Sequence, residues 1–423
     1  MRGPAFIVLA ALLAGLPAFA SAQEPEEPAT RAEQLRRGRE EKAEVLEPPQ
    51  QGGLEKALLL VENDRILERL LNPAEGFYPR LGTVTPGGGF AAGPAFKRPG
   101  LFGGRGTLGV SGMVSIARYW TIDGSLTFPN LADERLFAEF SGQIYDFPSE
   151  DFFGLGATSL RRNWAEYGIE GSRFGGRLGA RLTPWFSVGG RVDHLAQSID
   201  DLVDPDDIDE DIEDLDDDDE LPIGIRFDDV GAPGLLRQPD FLRSEVFAEL
   251  NYREPRGNPR EGGRYFVAFQ RFGEKSNQFN FSRVDVDLQQ YIPLYTNRRV
   301  LALHAHISTS DADEGQRIPF YFQRTLGGPD DLRGYRRFRF RGEHLILLQA
   351  EYRWEIFTAV DGAIFYDAGK VTDRRGDLSL GDLESNYGIG FRFGTINGVF
   401  LRIEGAFGSN DGQHFVFRFG HVF

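Results

Sequence analysis

A chain of 423 residues without a single cysteine excludes disulfide stapling, thiol catalysis and thiolate metal sites. The formal net charge of −17 is local, because Asp200 to Glu220 holds fifteen acidic residues and no basic one. The remainder carries about −2, which argues against nucleic acid as a partner, while 52 glycines and 13% aromatics exceed ordinary globular usage and suit strands at a lipid interface.

Met1 to Ala22 combines Arg2, an apolar run from Ala5 to Ala20 and the small-residue site Ala20-Ser21-Ala22. This is the pattern of a secretory signal peptide over 1–22. Residues 23–53 are rich in Glu, Pro, Arg and Gln without apolar periodicity, and read as a disordered periplasmic leader. In 54–72, Leu54, Leu58, Val61, Leu67 and Leu71 recur at three- and four-residue spacing, which predicts one amphipathic helix. It could plug the barrel base, lie on the inner leaflet face or dock a partner. No later stretch has the roughly 20 consecutive apolar residues a spanning helix needs.

From Phe77 the apolar period falls from 3.6 to 2 and stays there. The expected strands cover roughly 76–84, 89–98, 106–117, 119–128, 134–145, 173–182, 185–197, 241–253, 264–273, 279–291, 298–309, 343–356, 359–371, 385–394, 398–408 and 413–423. About sixteen strands, an even number, predict an all-β fold: a closed antiparallel transmembrane barrel over 76–423 in the bacterial outer membrane. Short turns, at Pro129-Asn130, Thr183-Pro184, Pro255 to Gly262, Pro293 to Arg298, Phe357-Thr358 and Thr395 to Gly398, alternate with long loops at about 146–172, 198–240 and 310–342 and a shorter one near Asp373 to Glu384. One end therefore faces the periplasm and the other the exterior.

Strand alternation assigns the faces. Phe415, Phe417, Phe419, His421 and Phe423 share one side of the last strand; Tyr387, Ile389, Phe391 and Phe393 share one side of the fourteenth. Apolar faces point to lipid and polar faces to the lumen, the inverse of a soluble sandwich. A barrel must also close, since an open edge cannot face hydrocarbon. The first strand, with Pro79, Pro86 and the run Gly87-Gly88-Gly89, pairs poorly, so the seam between it and the last strand, near Gly420 and Phe423, is expected to be the loosest.

The most basic stretch is LGGPDDLRGYRRFRFRG, Leu326 to Gly342, with Arg333, Arg336, Arg337, Arg339 and Arg341 in the sixth external loop. Such a run either lies solvated on the surface, contacts phosphate or lipopolysaccharide, or finds carboxylates inside the barrel. Parity turns Gln349, Glu351, Arg353 and Glu355 of the twelfth strand inward, with Asp361, Ala363, Phe365 and Asp367 of the thirteenth. An inward arginine of the loop could meet Glu351 and Asp367 at restricted water access.

This loop, followed by AEYRW and then AIFYDAGKV, resembles the C-terminal barrel of the BamA/TamA superfamily of outer-membrane insertases and translocators, also called the bacterial surface antigen family. The resemblance implies sixteen strands and a sixth loop folded into the lumen, its Arg-Gly-aromatic tip being Arg333-Gly334-Tyr335 here. It also implies that Asp367, in the motif Phe365 to Gly369, is the acidic partner of Arg333; Glu351 is a second partner by strand parity alone. Asp151 to Gly168 (DFFGLGATSLRRNWAEYG) resembles the third external loop of such proteins. The stretch from Gln23 to Gly76 is only 54 residues long, too few for the periplasmic POTRA domains of family insertases, so a member lacking them is expected.

The acidic stretch has no calcium-loop spacing and reads as a solvated external loop. His304 and His306, two apart in the eleventh strand, read as ordinary lumenal residues rather than zinc ligands. No nucleophile elbow or phosphate loop appears, so neither enzymatic activity, a metal nor a cofactor is expected. The expected function is assistance of protein or lipid insertion or translocation through the seam; the alternative is a passive channel or structural surface protein that has lost that activity. Expected partners are outer-membrane lipid and lipopolysaccharide, unfolded barrel or lipid clients, and a periplasmic accessory protein.

Overall fold

The computed structural model describes residues 73–200, 221–357, 359–395 and 398–419. The signal peptide, leader, amphipathic helix, most of the acidic stretch, and Gly420 and Phe423 at the expected seam lie outside the described residues.

Sixteen barrel strands follow one another: β1 Gly76–Gly82, β2 Ala91–Gly100, β3 Gly106–Ser115, β4 Trp120–Leu131, β5 Leu136–Phe152, β6 Ala165–Thr183, β7 Phe186–Asp200, β8 Phe241–Asn251, β9 Gly262–Gly273, β10 Phe281–Leu294, β11 Thr296–Ala312, β12 His344–Phe357, β13 Val360–Thr372, β14 Glu384–Thr395, β15 Gly398–Ser409 and β16 Gly412–Arg418. Each pairs antiparallel with the next. The result is a nearly closed antiparallel barrel, and no described helix is long and apolar enough to cross a membrane.

Side-chain placement follows the period-2 pattern. Val110, Ile122, Phe174, Val246, Ile389 and Phe417 stand exposed on the outer face, where lipid would cover them. On the inner face Asp193, Gln289, Glu351, Asp367, Arg392 and Glu404 are buried. Buried charges require partners, and the lumen supplies them.

Several boundaries differ from the sequence reading. Pro129-Asn130 is not a turn: β4 continues through a bulge to pair Leu131 with Leu136, and the reversal falls at 132–135, where Ala132, Asp133 and Glu134 take positive φ. Likewise only Tyr295 separates β10 from β11, in place of a turn from Pro293 to Arg298. The third external loop spans 153–164 rather than 146–172, because Pro148-Ser149 forms a bulge beyond which Glu150, Asp151 and Phe152 pair again with Tyr167, Glu166 and Ala165. Proline, serine and two acids made this stretch read as a loop, yet it is strand whose lumenal side is covered by another loop.

The glycine triplet is also placed differently. Gly87, Gly88 and Gly89 lie in the connection between β1 and β2, and β1 itself pairs along all seven of its residues with β2. Pro79 sits opposite Pro94 within that ladder. Proline in a strand suits an edge, where its missing N–H costs no ladder bond. Among the described residues no paired register joins β1 to β16, but the ring of Phe90, just ahead of β2, lies 5.4 Å from that of Phe419, just beyond β16.

Candidate functional site

The sixth external loop leaves β11 and turns back into the barrel. Arg324–Leu326 pairs with Phe340–Gly342 as a short hairpin, and the tip between them carries the basic sequence. An apolar seat holds it: Leu326, Leu332, Tyr335 and Phe340 bury against Leu345, Leu347 and Val371 of β12 and β13. That burial sets the depth at which the arginines meet the lumenal wall.

Arg333 is wholly buried and uses its whole fork. Nε and Nη2 donate to the two Asp367 oxygens at 2.8 and 2.7 Å, and Nη1 donates to Glu351 at 2.7 Å and Glu404 at 3.2 Å. The guanidinium also lies 3.4 Å from the centroid of the Phe365 ring. Burial pulls the Arg333 pKa down, but Asp367, Glu404 and Glu351 together hold it well above the ordinary arginine value. The three carboxylates have further donors. Arg353 bonds Glu351 at 2.7 Å, Arg392 bonds both Glu351 and Glu404, and Arg402 bonds Glu404 at 3.0 Å. Asp367 differs: among the described residues its further donors are the neutral amides of Gln349 and Asn386, at 3.2 and 2.9 Å.

Gly334 and Tyr335 finish this anchor. A Cβ on Gly334 would lie 2.6 Å from that of Asn386, closer than real Cβ contacts come, so only glycine lets the backbone approach β14 this closely. Its carbonyl accepts from the Ser409 hydroxyl, and the Tyr335 hydroxyl donates to Glu384 at 2.7 Å. The structure thus brings together Arg333, Gly334, Tyr335, Glu351 and Asp367.

The remaining arginines point elsewhere, and this was not legible in the sequence. Arg337 donates through Nε and Nη2 to both oxygens of Asp151 on β5, at 2.7 and 3.1 Å, and through Nη1 to the Tyr119 hydroxyl at 2.9 Å. Burial opposes its charge, but the bonded carboxylate of Asp151 raises its pKa above the ordinary value. Gly87 packs directly on this side chain: its φ is +88°, and a Cβ there would fall 2.3 Å from Arg337 Cδ. Arg339 donates to the Ser159 hydroxyl and carbonyl at 2.9 and 2.7 Å, and Arg336 lies over the Trp164 ring at 4.1 Å. The Arg341 carbonyl accepts from Gly156 at 2.7 Å. Asp151, Gly156, Ser159 and Trp164 all belong to the segment Asp151 to Gly168 that resembles a third external loop.

The sixth loop therefore holds two walls at once. Arg333 ties it to β12, β13 and β15, on the C-terminal flank of the seam. Arg337 ties it to β5 and the turn after β3, on the N-terminal flank. Of the two anchors the second is partly solvated, with Arg337 16% and Asp151 6% exposed against 0% throughout the first. Elsewhere in the lumen His304 contacts Asp287 and Gln349, and His306 lies 3.5 Å from Asp285. No cluster of three or more metal-ligating side chains forms among the described residues.

Residues 101–423 match the Omp85 superfamily domain. The chain belongs to the Omp85 superfamily. This Omp85 barrel is similar in structure to BamA from Haemophilus ducreyi lacking POTRA domains 1–3, at 15% identity and a TM-score of 0.55, with 82% of this chain and 70% of that one covered. It is also similar to CdiB from Escherichia coli, at 13% identity and a TM-score of 0.51, covering 82% of this chain and 62% of that one. At these identities the likeness is one of fold. No curated protein sequence matches the chain. The superfamily expected from the loop and the two strands after it is the one found.

Proposed function

We propose that this Omp85 barrel resides in the bacterial outer membrane and, without enzymatic chemistry, assists insertion or translocation of protein or lipid through the seam between β1 and β16. The observation that carries the reading is the sixth loop, bonded through Arg333 to one flank of the seam and through Arg337 to the other. A short edge strand leaves backbone donors and acceptors to which a client strand can add. The loop stays seated on β12 and β13 through Arg333 when that edge opens, while its Arg337 tie to β5 restrains the opening.

Reconstitution tests it. Liposomes containing the full chain are expected to speed the folding of a urea-unfolded outer-membrane barrel client over empty liposomes. A passive channel would instead show no acceleration, together with a steady, large single-channel conductance indifferent to deletion of residues 327–339. That result would favour the pore and end the insertion reading.

A further inference from the structure

A second basic region, distinct from the Arg333 anchor, lines a cavity of about 470 Å³ between the lumenal faces of β5 to β10 and the base of the sixth loop. Five arginines reach its wall: Arg173, Arg243, Arg283, Arg324 and Arg341. Two of them are neutralised, Arg243 by Asp193 and Arg324 by Asp285. For the other three no carboxylate lies within ion-pair distance among the described residues. Arg173 donates to the Gln143 amide oxygen at 3.2 Å. Arg283 donates to the Ser310 hydroxyl at 2.8 Å and to the Phe322 carbonyl. Arg341 donates to the Phe320 carbonyl at 2.8 Å and the Tyr167 hydroxyl at 3.0 Å.

These cations are not loosely held. Arg283 is 5% and Arg341 3% exposed. Arg283 lies against the stacked rings of Phe272 and Phe281, each centroid 5.4 Å away, and Arg341 packs among Phe152, Tyr167 and Phe320. Glu150 is the one carboxylate among the described residues of the wall, and Thr85 donates to it at 3.3 Å. Buried guanidinium groups without counter-charge are costly. Moreover, among the described residues four atoms of the wall are buried without a hydrogen-bond partner: Arg341 Nε, the Tyr321 hydroxyl and the amide oxygens of Gln197 and Gln323, the last two able to accept from a protonated phosphate oxygen. Rigid guanidinium forks with spare N–H and O–H donors match the oxygens of a tetrahedral oxyanion better than they match a halide.

We propose that this cavity binds a phosphate group, either free phosphate or a phosphate monoester such as a phosphorylated glycolipid headgroup. The full chain in non-ionic detergent is titrated calorimetrically with inorganic phosphate, with chloride at matched ionic strength as control. Saturable one-to-one binding of phosphate is expected. Arg173→Gln, which removes a half-buried fork outside the Arg333 anchor, is expected to weaken binding about tenfold or more. Arg173→Lys, which keeps the charge and loses the fork, should fall between, and serves also if the glutamine variant does not fold. Micelles of a phosphorylated glycolipid that compete with phosphate, while their dephosphorylated form does not, would assign the headgroup; phosphate binding without such competition would assign the free ion. Absence of saturable binding, equal response to chloride, or indifference to both Arg173 variants would overturn the proposal. So would binding that appears only after residues 201–220 are replaced by an uncharged linker, since the chain's own carboxylates would then be the natural occupant.

Discussion

Arg333→Ala is expected to cost the barrel about 3–5 kcal/mol, the usual penalty for removing one member of a buried ion pair. The loss falls unevenly. Glu351 keeps Arg353 and Arg392, and Glu404 keeps Arg392 and Arg402, whereas Asp367 is left with two neutral amides. The damage is therefore largely an orphaned Asp367 carboxylate in a site closed to water. Asp367→Ala alone should be comparably harmful, because it strips Arg333 of its bidentate partner. The double variant should be no worse than either single one, as the second change removes the charge the first had stranded. Urea titration followed by heat-modifiable gel mobility measures all three. Losses that simply add would show that the two residues act independently.

Arg337→Gln or Asp151→Asn is expected to leave that mobility nearly unchanged but to free the seam. A charge-assisted hydrogen-bonded pair contributes about 1.5–3 kcal/mol, so its removal should enlarge the open-seam population about tenfold or more. Arg333 would still seat the loop on β12 and β13, and only the Arg337 ties, to β5 and to the Tyr119 turn, would be weakened. Spin labels on Phe90→Cys and Phe419→Cys, whose native rings are 5.4 Å apart, would report a broadened distance distribution. The absence of native cysteine makes such labelling site-specific. An unchanged distribution would mean that Arg337 holds the loop without holding the seam.

Sixteen strands and their facing could be read from the sequence because lipid outside and polar lumen inside force a strict alternation, visible in Tyr387, Ile389 and Phe391 against Asn386 and Arg392. The Arg333 anchor could be read because its partners come from adjacent strands, where parity alone turns Glu351 and Asp367 inward. Glu404 was missed although the same parity places it inward beside Arg402; one acid among 64 carries no mark of its own. Arg337 and Asp151 were beyond reach for a different reason. They are separated by 186 residues, and their meeting depends on the depth of the loop's apolar seat and on a bulge at Pro148-Ser149 that no local pattern announces. The extent of β6 was misread with it, since residues 169–172 pair with 144–147 of β5 and residues 165–167 pair with 150–152 beyond the bulge.

The seam itself is tested most directly by locking it. In liposomes containing the Phe90→Cys/Phe419→Cys double variant, the folding rate of an unfolded barrel client is compared before and after oxidation of the pair, then again after reduction. Oxidation should abolish the acceleration given by the barrel and reduction should restore it. Equal acceleration by the oxidised and reduced forms would contradict passage through the seam between β1 and β16.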